Sequence, residues 1–231
     1  MRYFPDEIKE LVTPTRVVAL LLLGVGFILM IEGSSYLYCT SSCQFDVGRL
    51  TIDFYANGAS ELISIALTVL FIDALNERRQ NLITKEELLR DMEGKYNDLA
   101  CRAVRELRSK KWHKRIKNRT FDLANLQGVD EFKDFTIKKS SFKGTMFDHG
   151  YIKNSKFYSC SFQGVSFEDC DIEDTTFKDS VFAAEPPPFA NARLSGVDFT
   201  GCQNVTTNEL EKAQSAYNIT LPDGTFLERV I

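Results

Sequence analysis

A chain of 231 residues with 44% hydrophobic and 26% charged residues and a net charge of −4 has the makeup of one or two globular domains. Its six cysteines form no CxxC pair and no cluster with the two histidines, which excludes a zinc site of the usual ligand spacing. The averages conceal an uneven chain: apolar residues crowd into 17–31 and 63–72, and aromatic and polar residues alternate at a fixed short interval after Thr120.

Residues 1–16 form an N-terminal segment whose three acids and length set it apart from a signal peptide. The uncharged run from Val17 to Ile31, extended by Tyr36 to Tyr38, is long enough for the roughly 20 residues that cross a bilayer. A second apolar stretch, Ala59 to Leu75, completes a membrane α-hairpin over 17–75 with an extracytoplasmic loop at 33–58. Its polar residues are Glu61, Ser64, Thr68 and Asp73. A carboxylate costs about 2.5–3.5 kcal/mol at a bilayer centre, but Glu61 and Asp73 stand near the ends of the span. Glu61 is therefore read as an interface-level carboxylate rather than part of an ion path. Ser60, Glu61, Ser64 and Thr68 share one stripe, which is expected to face the first helix.

Arg2, Lys9 and Arg16 precede the first span and Arg78, Arg79, Lys85 and Arg90 follow the second, whereas the loop holds only Arg49. The positive-inside bias therefore puts both termini in the cytoplasm. Cys39 and Cys43 then lie in an oxidising compartment, where a local disulfide persists.

Residues 76–118 read as a helical juxtamembrane connector. Neither Gly nor Pro occurs from Leu62 to Glu93, so one helix should run to Gly94, a stalk of roughly 25–30 Å beyond the membrane. Leu75, Leu82 and Leu89 repeat every seven residues and offer a weak seam for a homo-oligomer. A second helix should start at Asn97 or Asp98 and turn Leu99, Ala103, Val104 and Leu107 toward whatever follows. Arg102, Arg105, Arg108, Lys110, Lys111, Lys114, Arg115, Lys117 and Arg119 face one acid, Glu106. Beside a membrane such a cluster can hold anionic lipid; nucleic acid and a plain solvated face are the alternatives.

From Ile137 to Phe182 an Ile or Phe recurs every five residues without a miss, and a small residue lies two positions before each, except at Phe135. A period of five fits neither a helix nor an uninterrupted strand. It fits short extended segments with positions i−2 and i inward, each followed by a corner, stacked into a solenoid.

The units ANLQG, SSFKG, SKFYS, CSFQG, VSFED, CDIED, TTFKD, ARLSG and VDFTG resemble the pentapeptide repeat family. That resemblance implies an all-β solenoid over 119–203, a right-handed quadrilateral β-helix with four pentapeptides per coil. Phe121 and Leu126 belong to an earlier stretch followed by an insertion, and the Pro run at 186–188 is an expelled loop. Residues 204–231 read as a capping helix, with Thr206 and Glu209 as a capping box, and a tail that turns at Pro222 to Gly224.

Two spans, a juxtamembrane helix and then repeats also resemble a group of bacterial membrane-anchored pentapeptide proteins, which implies a multi-pass inner-membrane location. No phosphate loop, nucleophile elbow or metal spacing marks an enzyme or a cofactor site, and His113 and His149 read as isolated surface imidazoles. The expected function is a membrane-tethered, non-catalytic scaffold whose partners are the lipid bilayer and an unidentified protein. The alternative is a membrane-perturbing effector, for example in phage defence, assembled through its helices. A nucleic-acid mimic on a topoisomerase is disfavoured, because the earlier coils are basic and only the stretch from Phe167 to Asp179 is strongly acidic.

Overall fold

The computed structural model describes residues 14–37, 47–183 and 187–230, so Cys39 and Cys43 with their expected disulfide lie outside the described residues. The chain divides into two units, Met1–Leu82 and Ile83–Ile231.

The first unit is built from helix α1 (Pro14–Leu37) and helix α2 (Val47–Met92), the latter running past the division. Among the described residues one helical segment, Asn57–Met92, is long and apolar enough to cross a membrane, and Thr15–Ile28 is a shorter apolar helix. Helix extends over 33–37 and 47–58 at the ends of the stretch expected as an extracytoplasmic loop; no proline interrupts it there, and a glycine lowers helix stability by only about 1 kcal/mol.

The face that meets α1 is corrected. Ala19, Gly26, Ala59 and Ala66 are the buried residues, whereas Ser60, Glu61, Ser64 and Thr68 are exposed. A Cβ added to Gly26 would stand 3.0 Å from Ile63 Cγ1 and 3.3 Å from the Ala59 carbonyl oxygen. Small residues let the two backbones approach. The hydroxyls need no neighbouring helix, since Thr68 donates to the Ser64 carbonyl at 2.8 Å and Ser60 to that of Asn57 at 2.8 Å. Asp73 instead receives Arg16 at 2.9 Å, and the same guanidinium pairs with Glu77.

The second unit is an all-β solenoid of about five turns. One sheet stacks β1 (Ile116–Lys117), β3 (Thr136–Lys138), β5 (Lys156–Tyr158) and β8 (Thr176–Lys178) in parallel. A second stacks β2 (Phe132–Lys133), β4 (Tyr151–Lys153), β7 (Asp171–Glu173), β10 (Arg193–Ser195) and β11 (Ser215–Thr220), with β12 (Phe226–Arg229) returning antiparallel. Between them run β6 (Ser161–Phe162) and β9 (Val181–Phe182), and a column of isolated bridges through Asn125, Met146 and Ser166. Ile137 pairs with Phe157 and Phe157 with Phe177, a step of 20 residues, so each coil holds four five-residue units.

The inward large residues stack as rings: Phe121, Phe142, Phe162 and Phe182 follow one another with centroids 4.8, 5.0 and 5.0 Å apart, and Phe157 lies 5.0 Å from Phe177. The small residues at i−2 carry hydroxyls that serve the next coil. Ser180 Oγ accepts from the Cys160 amide at 3.1 Å, and Thr145 donates to the Phe121 carbonyl at 2.6 Å, so these polar groups are buried but satisfied.

The corners obey a rule that the spacing of apolar residues did not announce. Two residues after each inward large residue, from Asn118 to Gly201, the backbone has positive φ among the described residues. Most of these positions are Asn, Asp or Gly, the residues that tolerate the left-handed region. Leu123, with φ 59°, is the apolar exception, and its side chain lies over Gly144, where a Cβ would come within 2.8 Å of it.

The solenoid is longer than the 119–203 read from the repeats. Pairing begins at Ile116 and continues through β11, where Ala216 stands on Leu194. The repeat also carries two irregular spacings, six positions from Leu126 to Phe132 and seven from Phe182 to Phe189. The short helix α4 (Thr207–Leu210) sits within the last turn, with Thr206 Oγ1 accepting from the Glu209 amide at 3.3 Å. The C-terminal tail closes the end as the β11–β12 hairpin.

At the other end, helix α3 (Asn97–Ser109) buries Ala100, Cys101, Ala103, Val104 and Leu107, and Leu88, Leu89 and Met92 join the same core. It starts at Asn97, as expected, with Tyr96 at the N-cap position and no side-chain cap. The Asn97 amide is drawn away to donate to the Gln127 carbonyl at 2.7 Å. Leu99, 39% exposed, lies off the buried stripe that Ala100 occupies.

Candidate interaction surface

Because side chains at i−1 and i+1 of each unit point outward, every sheet displays two columns of residues that the register alone chooses. The β2–β4–β7–β10 sheet is charged but internally neutralised. Lys153 donates to Glu173 at 2.7 Å, the Tyr151 hydroxyl donates to the same carboxylate at 2.8 Å, and Arg193 pairs with Asp171 at 2.8 Å. The bonds from Lys153 and Tyr151 hold the Glu173 carboxyl below the usual range. A depression lined by Asp171, Glu173, Arg193, Ser215 and Tyr217 lies on this sheet.

The β1–β3–β5–β8 sheet differs. The register aligns Lys117 with Lys138, Tyr158 and Lys178 in one column, while Arg115 precedes Thr136, Lys156 and Thr176 in the other. Lys139 follows at the corner. Arg115, Lys117, Lys138, Lys139, Lys156 and Lys178 are all exposed, and among the described residues none has a carboxylate partner within ion-pair distance. Lys138 Nζ stands 4.9 Å above the Tyr158 ring. Two units further round the coil, Asp148, Glu168 and Asp169 make the outward positions acidic. Charge is therefore sorted by face as well as along the axis, which a linear count of acids and bases misses.

The basic run from Arg102 to Arg119 is divided by the fold. Arg102 pairs with Asp91 at 3.2 Å and Arg105 with Asp130 at 3.8 Å. Arg108 pairs with Glu131, and Arg119 with Glu93 at 2.7 Å and Glu86 at 2.9 Å. These acids come from 86–93 and 130–134, so the sequence window around the run shows only Glu106. Lys110 lies 5.3 Å over the Trp112 ring, and Lys111, Lys114, Arg115 and Lys117 are exposed.

His113 is buried rather than on the surface, 4% exposed, with its ring 5.4 Å from that of Phe135 and its carbonyl accepting from the Thr136 amide. Burial pushes its pKa down. His149 is exposed, 3.6 Å from Asp169. Cys101, Cys160, Cys170 and Cys202 are free and buried. Burial pushes the thiols up, Cys160 to about 11 and Cys202 to about 12, so these sulfurs serve as packing rather than as nucleophiles.

No protein-family model matches the chain, and no curated protein matches it. Among solved structures it is similar to HetL, a pentapeptide repeat protein involved in heterocyst differentiation regulation from the cyanobacterium Nostoc sp. strain PCC 7120. The identity is 10%, the match covers 47% of this chain and 53% of HetL, and the TM-score is 0.16. The chain thus spans about half the length of that protein, and the assignment of its class rests on its own register. The class is an all-β solenoid of stacked five-residue repeats, preceded by apolar helices.

Proposed function

We propose that this chain is a membrane-tethered, non-catalytic scaffold of the pentapeptide-repeat type, whose quadrilateral right-handed β-helix displays flat faces to partners. The observation that carries this reading is the outward register of the solenoid, which gives separate faces distinct charge. The apolar helices α1 and α2 serve as a two-span anchor in a bacterial inner membrane, with both termini cytoplasmic and a protein partner on the solenoid. The length and apolar character of Asn57–Met92 support the anchor. Washing membranes at alkaline pH tests it: the full chain should stay with the bilayer, and release into the supernatant would end the tether reading. In intact cells an impermeant maleimide, after reduction, should reach Cys39 and Cys43. Failure to label them would overturn the orientation.

A further inference from the structure

The β1–β3–β5–β8 sheet and its flanking corners carry six exposed cations, and among the described residues none of them has a carboxylate within ion-pair distance. Adjacent rungs of a parallel sheet are about 4.8 Å apart, so Lys117 and Lys138 repel each other at close range, as do Lys138 and Lys139 along the chain. Elsewhere in the same unit the fold supplies acids to several cations, as the partners of Arg102, Arg108, Arg119, Lys153 and Arg193 show. On this face acids appear only toward the last turns, at Asp179 and Asp198, and Asp198 already receives the Thr200 hydroxyl. Like charges held in register without counter-charge are unfavourable in the free protein and become favourable against an external polyanion.

We propose that this face docks on the headgroup plane of an anionic bilayer, an inference that rests on the membrane tether proposed above. Two observations favour lipid over other polyanions. The cations spread over two columns and about 14 Å of sheet, a flat array that a plane of phosphates can meet at every point, whereas the convex backbone of a duplex touches only a strip. Tyr158, amphipathic and half-buried, lies in the middle of the array under Lys138, a residue suited to the interface between headgroups and hydrocarbon. Docking is thereby assigned to a face set by register, of which only Arg115 and Lys117 belong to the basic run read from the sequence.

The test is lysine footprinting of the full chain in lipid nanodiscs of phosphatidylcholine alone or mixed with phosphatidylglycerol, using an impermeant amine-acylating reagent read by mass spectrometry. In anionic discs Lys117, Lys138, Lys156 and Lys178 should be acylated several-fold more slowly than in neutral discs, while Lys153 and Lys212 should not change. Protection should vanish at about 1 M salt, where screening shortens to about 3 Å. Lys138→Gln combined with Lys156→Gln and Lys178→Gln should restore acylation of Lys117, and Lys153→Gln with Lys212→Gln should leave its protection intact. Equal acylation in the two kinds of disc overturns the proposal. So does protection by added duplex DNA in neutral discs without protection by anionic lipid, which would make the face a nucleic-acid surface. Protection in neutral discs that rises with protein concentration overturns it in favour of self-association. Alkaline washing reports separately on the anchor. A chain that is extracted yet protected on anionic lipid loses the tether and keeps the docking face; one that stays integral yet unprotected does the reverse.

Discussion

Through the middle of the solenoid most inward side chains have a near-equivalent above and below, so a ring such as Phe162 is held by Phe142 and Phe182 at 5.0 Å on either side. Where α3 meets the first coil the repeat is broken: Phe135 stands where the other units have a small residue, Phe132 stacks on it at 4.3 Å, and His113 lies 5.4 Å from it. The large residue is accommodated there because no further small-residue rung lies beneath it. Periodic packing spreads the loss of one ring over identical neighbours; the end of the stack depends on single contacts that have no duplicate.

The largest expected effect probes the periodic part. Phe162→Ala should cost about 3–5 kcal/mol, since it removes a fully buried ring from a stack that cannot collapse without breaking its register. Gln163→Ala, one position on and outward, should stay within about 0.5 kcal/mol. Denaturant melts of the full chain in detergent measure both, and equal losses would remove the distinction between inward and outward columns. At the end of the stack, Leu107→Ala should cost about 2–5 kcal/mol, and the loss should be local. Amide exchange should quicken first at Thr136, which donates to the His113 carbonyl, and last at Val181, which donates to the Cys160 carbonyl. Uniform quickening would mean that the end is no more independent than the middle. Arg119→Met should be milder, about 1 kcal/mol, because Glu86 and Glu93 keep partial access to water, and high salt should shrink the difference. An effect as large as that of Leu107→Ala would make this ion pair, rather than apolar packing, the fastener of the end.

The same contrast decides what was legible in the sequence. The period of five gave the inward columns from Ile137 to Phe182 because each unit repeats the evidence of the last. Phe132 escaped because a six-residue spacing after Leu126 interrupts the count, Ile116 because it falls in a lysine- and arginine-rich stretch read as connector, and β11 because α4 intervenes. The corner positions were legible in principle, since Asn, Asp or Gly recurs two residues after most inward residues, yet apolar spacing alone does not point to them. The outward faces are a different matter. Lys117, Lys138 and Lys178 are far apart in sequence and become one column only once a coil of 20 residues is known. By the same token Arg102, Arg105, Arg108 and Arg119 read as free cations until the acids of 86–93 and 130–134 fold onto them. In the helical hairpin a stripe of hydroxyls looked like an interface, but Ala59 and Ala66 face the partner helix because close packing there rewards smallness over hydrogen-bonding capacity.

The smallest expected effect is one of slope, and it belongs to the non-repeating end. His113 is enclosed, its Nδ1 has no hydrogen-bond partner among the described residues, and burial lowers its pKa from the ordinary value of 6.5, opposed by the hydrogen bond to the Leu107 backbone. Lys114 and Arg108 act in the same direction as burial, and Asp134 against it. The folded state therefore prefers the neutral ring. Its contribution is fully present above the unfolded pKa near 6.5, and it is lost as pH falls through that value toward the lower folded pKa. His113→Phe keeps a ring against Phe135 and removes the titration. Stability measured by denaturant melts from pH 7.5 to 5 should fall less steeply for the variant than for the parent, with little difference between them at pH 7.5. Carboxylates such as Glu173, held low by Lys153 and Tyr151, lose their contribution only below about pH 4.5 and so lie outside this window. Identical slopes in the two proteins would show that the ring gains a proton without cost, and that water reaches the space between α3 and the first coil.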